Sequence, residues 1–297
     1  MRSTSEANRP VSAVDPATAE QGSTTGGVPL VQTVAPASRR VRLRDIVRSW
    51  PVARVISIRD YKVQYKQSAL GPIWLVIQPL AVLAAFTVVF DSVAQVDTSG
   101  IPYPLFALVG VTVWTFTSFS IPAGARSQIA NKRIIRYVDC PRIAFVTASI
   151  VASLPMLAAP LVLTVASVYL TGYHLTLNVL ALPLAIAWLL LLIWAITLGL
   201  SAANVRYRDV NSVVPFLLQG GLFLTPLAYP LSAVPAGLAL ALSFNPFTGV
   251  VEVWRWALLG TSVDMTAVAI GLTVTAVLVV AGWQVFTRME VRFADLI

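Results

Sequence analysis

The feature of this sequence that most limits its fold is a series of long segments without any charged residue. These segments cover residues 73–90, 101–125, 143–205, 210–251 and 265–287. Each one reaches the roughly 18–20 apolar residues that an α-helix needs to cross about 30 Å of hydrocarbon. Only 11% of the 297 residues are charged, whereas soluble domains carry roughly 25%. We therefore predict an all-α integral membrane protein.

The lengths of the segments predict six transmembrane helices. Five of them have clear bounds: about residues 73–90 for span 1, 103–121 for span 2, 143–205 for spans 3 and 4 as a hairpin, and 266–286 for span 6. Spans 3 and 4 are expected to turn at residues 171–176. Residues 122–142, between spans 2 and 3, are predicted to form the main cytoplasmic loop.

The segment of residues 210–251 needs a separate argument because its second half is interrupted by Pro226, Pro230, Pro235 and Pro246. The longest clear piece is residues 236–244, and a helix of that length reaches only about 14 Å. We therefore predict span 5 at about residues 212–227, followed by a re-entrant extracytoplasmic hairpin. Irregular backbone at membrane depth must be covered by protein or water, so the hairpin should line a cavity or a subunit contact.

The N-terminal part of the chain has two predicted regions. Residues 1–38 contain Ser, Thr, Pro, Gly and Ala without an apolar core, which predicts a disordered cytoplasmic tail. Residues 39–72 are basic, and Leu43, Ile46, Val47 and Trp50 fall on one helical face. This pattern predicts an interfacial amphipathic helix on anionic lipid, with a solvated charged linker as the alternative. Residues 73–297 form the six-span domain.

The basic residues predict the orientation. In the six-span arrangement every Lys and Arg except Arg255 lies on one side. Cytoplasmic loops carry the excess of Lys and Arg, so both termini are predicted to be cytoplasmic. A seven-span arrangement gives nearly the same distribution of charge, and only the prolines argue against it.

Several chemistries are excluded or disfavoured by what the sequence lacks. Cys140 is the only cysteine and His174 the only histidine, and we predict no catalytic, metal-binding or cofactor-binding residue. No charged residue lies at the centre of a predicted span, which argues against ion-coupled transport. No Gly-Lys pair of a phosphate-binding loop occurs, so any ATP and Mg²⁺ must be bound by a separate ATPase chain.

Three motifs carry a resemblance to a known family. They are RDYKVQYKQSALGPIW at residues 59–74 with Gln78-Pro79, NVRYRDV at residues 204–210, and Asn245-Pro246-Phe247 with Trp254-Arg255. In order and spacing, over about residues 45–297, they resemble the polysaccharide-type ABC-2 transporter permeases. That family exports O-antigens, capsular polysaccharides, teichoic acids and mycobacterial galactan.

The resemblance implies an arrangement of subunits and a substrate. Two permease copies would form a pore flanked by two ATPase subunits and would move a lipid-linked glycan across the bacterial cytoplasmic membrane. The resemblance also places Asn204, Arg206, Arg208 and Asp209 at the cytoplasmic end of span 4. No nucleic-acid partner is expected.

Candidate site residues fall into three groups. A substrate entrance at the membrane interface is assigned to Arg59, Tyr61, Lys62, Tyr65 and Lys66, because tyrosines stack on sugars and lysines bind phosphate. Channel residues are Trp114 and Phe119, which lie deep in span 2. The predicted contact with the ATPase consists of Arg126, Lys132, Arg133 and Arg136. For the basic residues, positive-inside bias alone is the competing explanation.

Other functions are weighed against glycan export. An ABC-2 exporter of drugs or small lipids would share the architecture, and charged rings outside the spans would be needed for an ion-selective pore. A membrane enzyme acting on lipid-linked sugars would need clustered acidic residues or histidine, whereas Asp91, Asp97, Glu252 and Asp264 are scattered.

Overall fold

The structure is a computed structural model that describes residues 43–66, 70–138 and 140–290, without the side chains of Leu43, Arg44, Ile46 and Tyr65. The predicted tail, residues 1–38, lies outside the described residues. The α-helices are α1 (Leu43–Arg48), α2 (Trp50–Tyr65), α3 (Trp74–Phe86), α4 (Tyr103–Ala130), α5 (Lys132–Tyr137), α6 (Ile143–Ser153), α7 (Pro155–Leu170), α8 (Leu182–Arg206), α9 (Val210–Leu224), α10 (Ala236–Ser243), α11 (Pro246–Leu259) and α12 (Met265–Glu290). The described residues contain no strand, which confirms the all-α prediction for this part of the chain.

Five continuous helical segments among the described residues are long and apolar enough to cross a membrane. They are Gly71–Val93, Tyr103–Tyr137, Ile143–Leu170, Leu177–Arg206 and Met265–Glu290. The number rises to six if α10 and α11, which are bent by 99° at their junction, count as one span. At the position of predicted span 5, α9 has 15 residues and spans only about 22 Å. The count of six spans therefore stays a prediction.

The predicted cytoplasmic loop of residues 122–142 is wrong in its first part. Helix α4 continues through Pro122 to Ala130, and α5 follows at once. The basic residues suggested a loop, but Arg126 lies on the exposed face of α4, whose other face buries Ser127 and Gln128, and Lys132, Arg133 and Arg136 lie on the exposed face of α5. A proline inside a helix removes one backbone hydrogen bond, and packing against the other helices outweighs that loss here.

The N-terminal helices pack on the bundle through a different face from the apolar one, which was predicted to lie at the membrane interface. Pro51 lies in the first turn of α2, where a proline costs no intrahelical hydrogen bond. The buried stripe of α1 and α2 consists of small and polar residues, namely Asp45, Ser49, Ala53, Ile56 and Ser57. The apolar side chains of Val47, Trp50, Val55, Ile58 and Val63 are exposed, and this outward face suits a membrane interface.

Helix α4 lies at the centre of the bundle and packs against α3, α6, α7, α8, α9 and α11. Most of its apolar side chains are buried, including Phe106 and Phe116. Small residues allow other helices to approach closely: a Cβ atom at Gly249 of α11 would lie 2.7 Å from the carbonyl oxygen of Ala267 in α12. Such close contacts are typical of helix packing in membranes.

The connection from α9 to α10 is irregular, as its prolines predicted. Residues 225–235 contain only a short 3₁₀ turn at Leu231–Ala233. At the bend that follows α10, Asn245 caps α11 by accepting a hydrogen bond from the Phe247 N–H at 3.1 Å. The turn between α7 and the 3₁₀ helix Leu177–Ala181 lies at residues 171–176, as predicted for the hairpin of spans 3 and 4.

Candidate functional site

The predicted substrate entrance lies at the C-terminal half of α2. Lys62 and Lys66 are exposed, and Tyr61 is half-buried. The backbone of Tyr65 is helical, but its side chain is outside the described part. Arg59 is not free to meet a ligand with its whole guanidinium, because Nη2 donates to Asp60 Oδ1 at 2.6 Å and to Asn131 Oδ1 at 2.5 Å.

The predicted ATPase contact lies on the outer face of the end of α4 and of α5. Arg126, Lys132, Arg133 and Arg136 are all exposed, and the neighbouring Tyr137 is 86% exposed. The inner face of α5 is apolar, and Ile135 is buried against α2 and α6. Helix α5 therefore has a basic, exposed face, and its opposite, apolar face is buried in a cluster with residues of α2 and α6.

Asn204, in the motif at the end of α8, has a structural position. Its Nδ2 donates to the carbonyl oxygen of Ala125 in α4 at 2.9 Å and to Asn211 Oδ1 in α9 at 3.1 Å. Asn204 therefore joins three helices. Exposed residues follow it: Arg206 stacks over the Tyr207 ring at 5.3 Å, while Arg208 and Asp209 lie in the link to α9.

The two predicted channel residues separate in the structure. Trp114 lines a groove of about 270 Å³ between α3, α4 and α9, together with Gln78 and Gln219. Its ring meets the Phe247 ring edge to face, with centroids 6.0 Å apart. Phe119 is absent from the lining of that groove and instead packs, half-buried, against the main core.

A buried arginine that sequence reasoning did not select holds the irregular segment after α9. Arg255 is 2% exposed, and its Nη2 donates to the carbonyl oxygen of Leu227 at 2.6 Å. Its Nη1 lies 3.5 Å from the carbonyl oxygen of Tyr229. The carbonyl oxygen between them, that of Ala228, accepts from the Tyr103 hydroxyl at 2.9 Å. We call this group the carbonyl clamp.

Two further contacts balance the charge of Arg255. Glu252 Oε1 lies 3.7 Å from Nη1, and the guanidinium carbon lies 3.7 Å from the centroid of the Phe106 ring. A cation over an aromatic face is stabilised by the ring quadrupole. The sequence did contain a signal for this site, since the six-span prediction leaves Arg255 as the single basic residue on its side and Glu252 is one helical turn away.

A cavity of about 820 Å³ lies beside the clamp, and the segment after α9 lines it, as predicted for the hairpin. Its polar lining includes Thr98, Ser99, Ser232, Glu252, Arg255, Thr261, Ser262 and Asp264. Asp264 also caps the start of α12, because its Oδ1 accepts a hydrogen bond from the N–H of Thr266 at 2.8 Å. Within the described residues no three His, Cys, Asp or Glu side chains are grouped so that they could hold a metal ion.

The geometry defines a class of protein before any relative is considered. The described residues form long apolar helices and a central helix that is buried along its length. Buried side chains donate hydrogen bonds to the carbonyl oxygens of the irregular backbone after α9. These features define an all-helical integral membrane protein. The ABC-2 type transporter family matches residues 52–259. The chain therefore belongs to this family, whose members are transport subunits rather than enzymes.

Curated relatives agree with this assignment. The O-antigen export system permease protein RfbA of Klebsiella pneumoniae is 23% identical over 244 residues, which cover 82% of this chain and 93% of that protein. The RfbA protein of Myxococcus xanthus is 28% identical over 201 residues, or 66% of this chain and 76% of that protein. The polysialic acid transport protein KpsM of Escherichia coli is 24% identical over 205 residues, which cover 68% of this chain and 79% of that protein.

Proposed function

We propose that this chain is the permease subunit of an ABC exporter that moves a lipid-linked polysaccharide across the bacterial cytoplasmic membrane. The observation that carries the proposal is the similarity to O-antigen and polysialic acid export permeases over most of the membrane region. O-antigen and polysialic acid are both polysaccharides, so the shared substrate class is a glycan rather than a drug. Both termini lie in the cytoplasm in this proposal, as the Lys and Arg distribution favours.

The energy comes from ATP hydrolysed on two copies of a separate subunit. This part of the proposal is supported by the lack of a phosphate-binding loop in the sequence. The exposed basic face of α5, which carries Lys132, Arg133 and Arg136, is the surface that receives the ATPase. ATP and Mg²⁺ belong to that partner.

A second copy of the chain completes the pathway. Helices α3 and α9 leave most of their apolar side chains exposed, including Phe216 and Leu217. Gln78 and Gln219 are also exposed beside the Trp114 groove. Two amide side chains facing hydrocarbon are costly, and a second copy packed on this face would enclose them together with the groove. The groove then becomes one wall of a glycan channel.

The lipid headgroup enters at the end of α2. Lys62 and Lys66 are exposed there, and a pyrophosphate accepts charge-assisted hydrogen bonds from lysine. The exposed apolar residues of α2, such as Val55 and Val63, keep this end of the helix at the lipid surface.

The experiment that tests the proposal reconstitutes the chain with its ATPase in liposomes. We expect a fluorescent lipid-linked glycan to move to the opposite leaflet only when ATP is supplied. An ATPase subunit that binds but does not hydrolyse ATP is the control. Transport by the chain alone under a proton or sodium gradient would contradict the proposal. ATP-driven transport of a hydrophobic drug or a small lipid without the glycan would instead favour the alternative exporter.

A further inference from the structure

We propose that the cavity of about 820 Å³ beside the carbonyl clamp is a binding site for neutral sugar residues, separate from the groove of Trp114. The two spaces share no lining residue. The inference goes beyond the proposed function because it adds a glycan-binding site inside a single chain. It rests on that function for the chemical class of the ligand and for the side of the membrane.

The cavity lies at the opposite end of the bundle from the predicted ATPase contact. Phe106, in the first turn of α4, lines the cavity, whereas α5 follows the last residue of α4, Ala130. The rise along a helix from Phe106 to Ala130 is about 36 Å. With the ATPase in the cytoplasm, as proposed, the cavity lies at the outer face of the membrane.

The polar side chains of the cavity are both buried and exposed. Glu252 and Arg255 are buried and line its inner part. Exposed polar side chains from three separate parts of the chain line its outer part: Ser99, Ser232, Ser262 and Asp264. A cavity of this size with a small number of placed polar groups is typical of a small-molecule site.

The segment before α4 is held in place beside the cavity by hydrogen bonds. The Ser99 N–H donates to Asp97 Oδ1 at 2.8 Å, and the Tyr173 hydroxyl donates to the carbonyl oxygen of Gly100 at 3.0 Å. Ser99 has φ +55°, a left-handed conformation that few residues other than glycine adopt. A lining that is ordered before the ligand arrives loses less entropy on binding.

The charges of the lining disfavour an anionic ligand. Arg255 is the only cation among the described residues that line the cavity, and its Nη atoms already meet the carbonyl oxygens of Leu227 and Tyr229. Glu252, 3.7 Å away, balances its charge. Asp264 is a second carboxylate, and only its Oδ1 takes part in capping α12. The lining therefore has a net negative charge, and a phosphate or another carboxylate would be repelled.

The hydrogen-bonding groups of a neutral sugar match this lining. A sugar hydroxyl donates and accepts hydrogen bonds, carboxylates accept them, and serine hydroxyls do both. A hydrophobic drug in the same cavity would leave these groups without partners, and buried polar groups without partners are costly. The ligand class that the lining favours is therefore a neutral sugar.

The first arm of the test measures protection of a thiol in the cavity. Ala236→Cys places the thiol on α10 at an exposed position of the lining. The full-length chain, in a Cys140→Ser background and in lipid nanodiscs, is reacted with an impermeant maleimide. The probes are neutral trisaccharides of glucose, galactose and mannose. At about ten times its Kd, at least one of them should slow the reaction about tenfold, because only the unoccupied site reacts. No slowing by any of the three overturns the inference.

Gly237→Cys is the matched control, because Gly237 is the next residue of α10, is exposed and lies outside the lining. Its rate of reaction should be the same with and without sugar. Equal slowing of both variants would show a general effect of the sugar and would contradict the inference. A trimer of sialic acid, which is anionic, should not protect Ala236→Cys. Stronger protection by this trimer than by any neutral sugar would overturn the assignment of a neutral ligand.

The second arm measures the Kd of the protecting sugar from the concentration dependence of protection. Asp264→Asn and Glu252→Gln should each raise this Kd about tenfold, the factor that corresponds to the weaker end of a charge-assisted hydrogen bond. Asparagine caps helices as well as aspartate does, so Asp264→Asn is the variant that is expected to fold normally. An unchanged Kd in both variants overturns the inference.

Asp97→Asn is the control for charge. Asp97 is exposed and lies outside the lining, and the amide oxygen of asparagine can still accept from the Ser99 N–H. The Kd of this variant should equal that of the parent protein. A rise as large as that of Asp264→Asn would show a general effect of charge and would contradict the inference.

The binding measurements need neither the ATPase nor transport, so the outcomes of the two proposals can be told apart. Protection by a neutral sugar in a chain whose complex moves no glycan would contradict the proposed function and leave the sugar site supported. ATP-driven glycan transport without any protection would overturn the sugar site and leave the proposed function supported.

Discussion

Replacing Arg255 with methionine is the most informative test of the carbonyl clamp. Arg255→Met keeps a long flexible side chain with an apolar stem and removes only the guanidinium. The change leaves the carbonyl oxygens of Leu227 and Tyr229 without their buried donor. It also leaves Glu252, whose side chain is 10% exposed, without the cation 3.7 Å away.

The size of the effect follows from the burial of these groups. A hydrogen bond from a charged group such as the one to Leu227 contributes about 1.5–3 kcal/mol. Removing one partner of a buried ion pair costs roughly 3–5 kcal/mol, mostly because the other charge stays buried. Both figures describe the same guanidinium and overlap, so we expect Arg255→Met to lower the free energy of unfolding by about 3–5 kcal/mol.

Two further variants separate the contributions. Tyr103→Phe removes one neutral hydrogen bond, to Ala228, and such bonds average about 0.6 kcal/mol in membrane proteins. Glu252→Gln combined with Arg255→Met removes the stranded carboxylate, and it should recover about 1–3 kcal/mol of the loss because an amide is less costly to bury than a charge.

The assay is equilibrium unfolding of the purified protein in detergent micelles, followed by tryptophan fluorescence. The chain has eight tryptophans, and their summed emission reports on unfolding of the whole bundle. The reasoning is refuted if Arg255→Met costs under about 0.5 kcal/mol, the range of an ordinary surface substitution. It is equally refuted if Tyr103→Phe costs as much as Arg255→Met, because the charge would then be irrelevant.

Three other predictions address the proposed sites. Arg133→Glu combined with Arg136→Glu should lower the rate of export about tenfold or more while the protein still inserts, because like charges replace complementary ones at the ATPase surface. Wild-type export by this variant would reject the assignment of α5. Gly237→Cys in a cysteine-free background should react with an impermeant thiol reagent added from outside, since Gly237 has open space around it, and labelling from the cytoplasm alone would reject the six-span orientation. Lys62→Ala with Lys66→Ala should lower substrate-stimulated ATP hydrolysis more than basal hydrolysis, measured with and without lipid-linked glycan; an equal fall in both rates would place the two lysines in the ATPase contact or in folding.

The apolar helices could be predicted from the sequence because each has to cross about 30 Å of hydrocarbon with uncharged side chains. The turn at residues 171–176 lies where composition placed it. Residues 122–130 were predicted incorrectly because charge was taken as a sign of a loop. A helix that leaves the membrane keeps its hydrogen bonds in water as well as in lipid, so charge marks the depth of a residue and not the end of its helix.

The polar contacts between distant segments could not be predicted in the same way. Arg59 was assigned to the substrate entrance because it belongs to a basic motif, and the bond to Asn131 depends on how α2 packs against α5 and α6. Asn204 was placed at the end of a span, but its bonds to Ala125 and Asn211 depend on two other helices. Helical periodicity predicts on which face of a helix a residue lies, but it does not predict which other helix packs against that face.

Helix α9 is the surface on which the proposed second copy would pack. At its start, Asn211 accepts a hydrogen bond from Asn204; just beyond its end, Thr225 accepts one from Asn245 at 2.8 Å. Between these points only Val214 is fully buried in the chain, and Gly221 lies close to the ring of Trp114. Apolar residues exposed to lipid gain nothing from burial, because lipid tails are equally apolar. The exposed amides beside the groove do gain, since hydrocarbon offers them no hydrogen-bond partner. The polar rim, rather than the apolar surface, therefore determines which face of the bundle a second copy would cover.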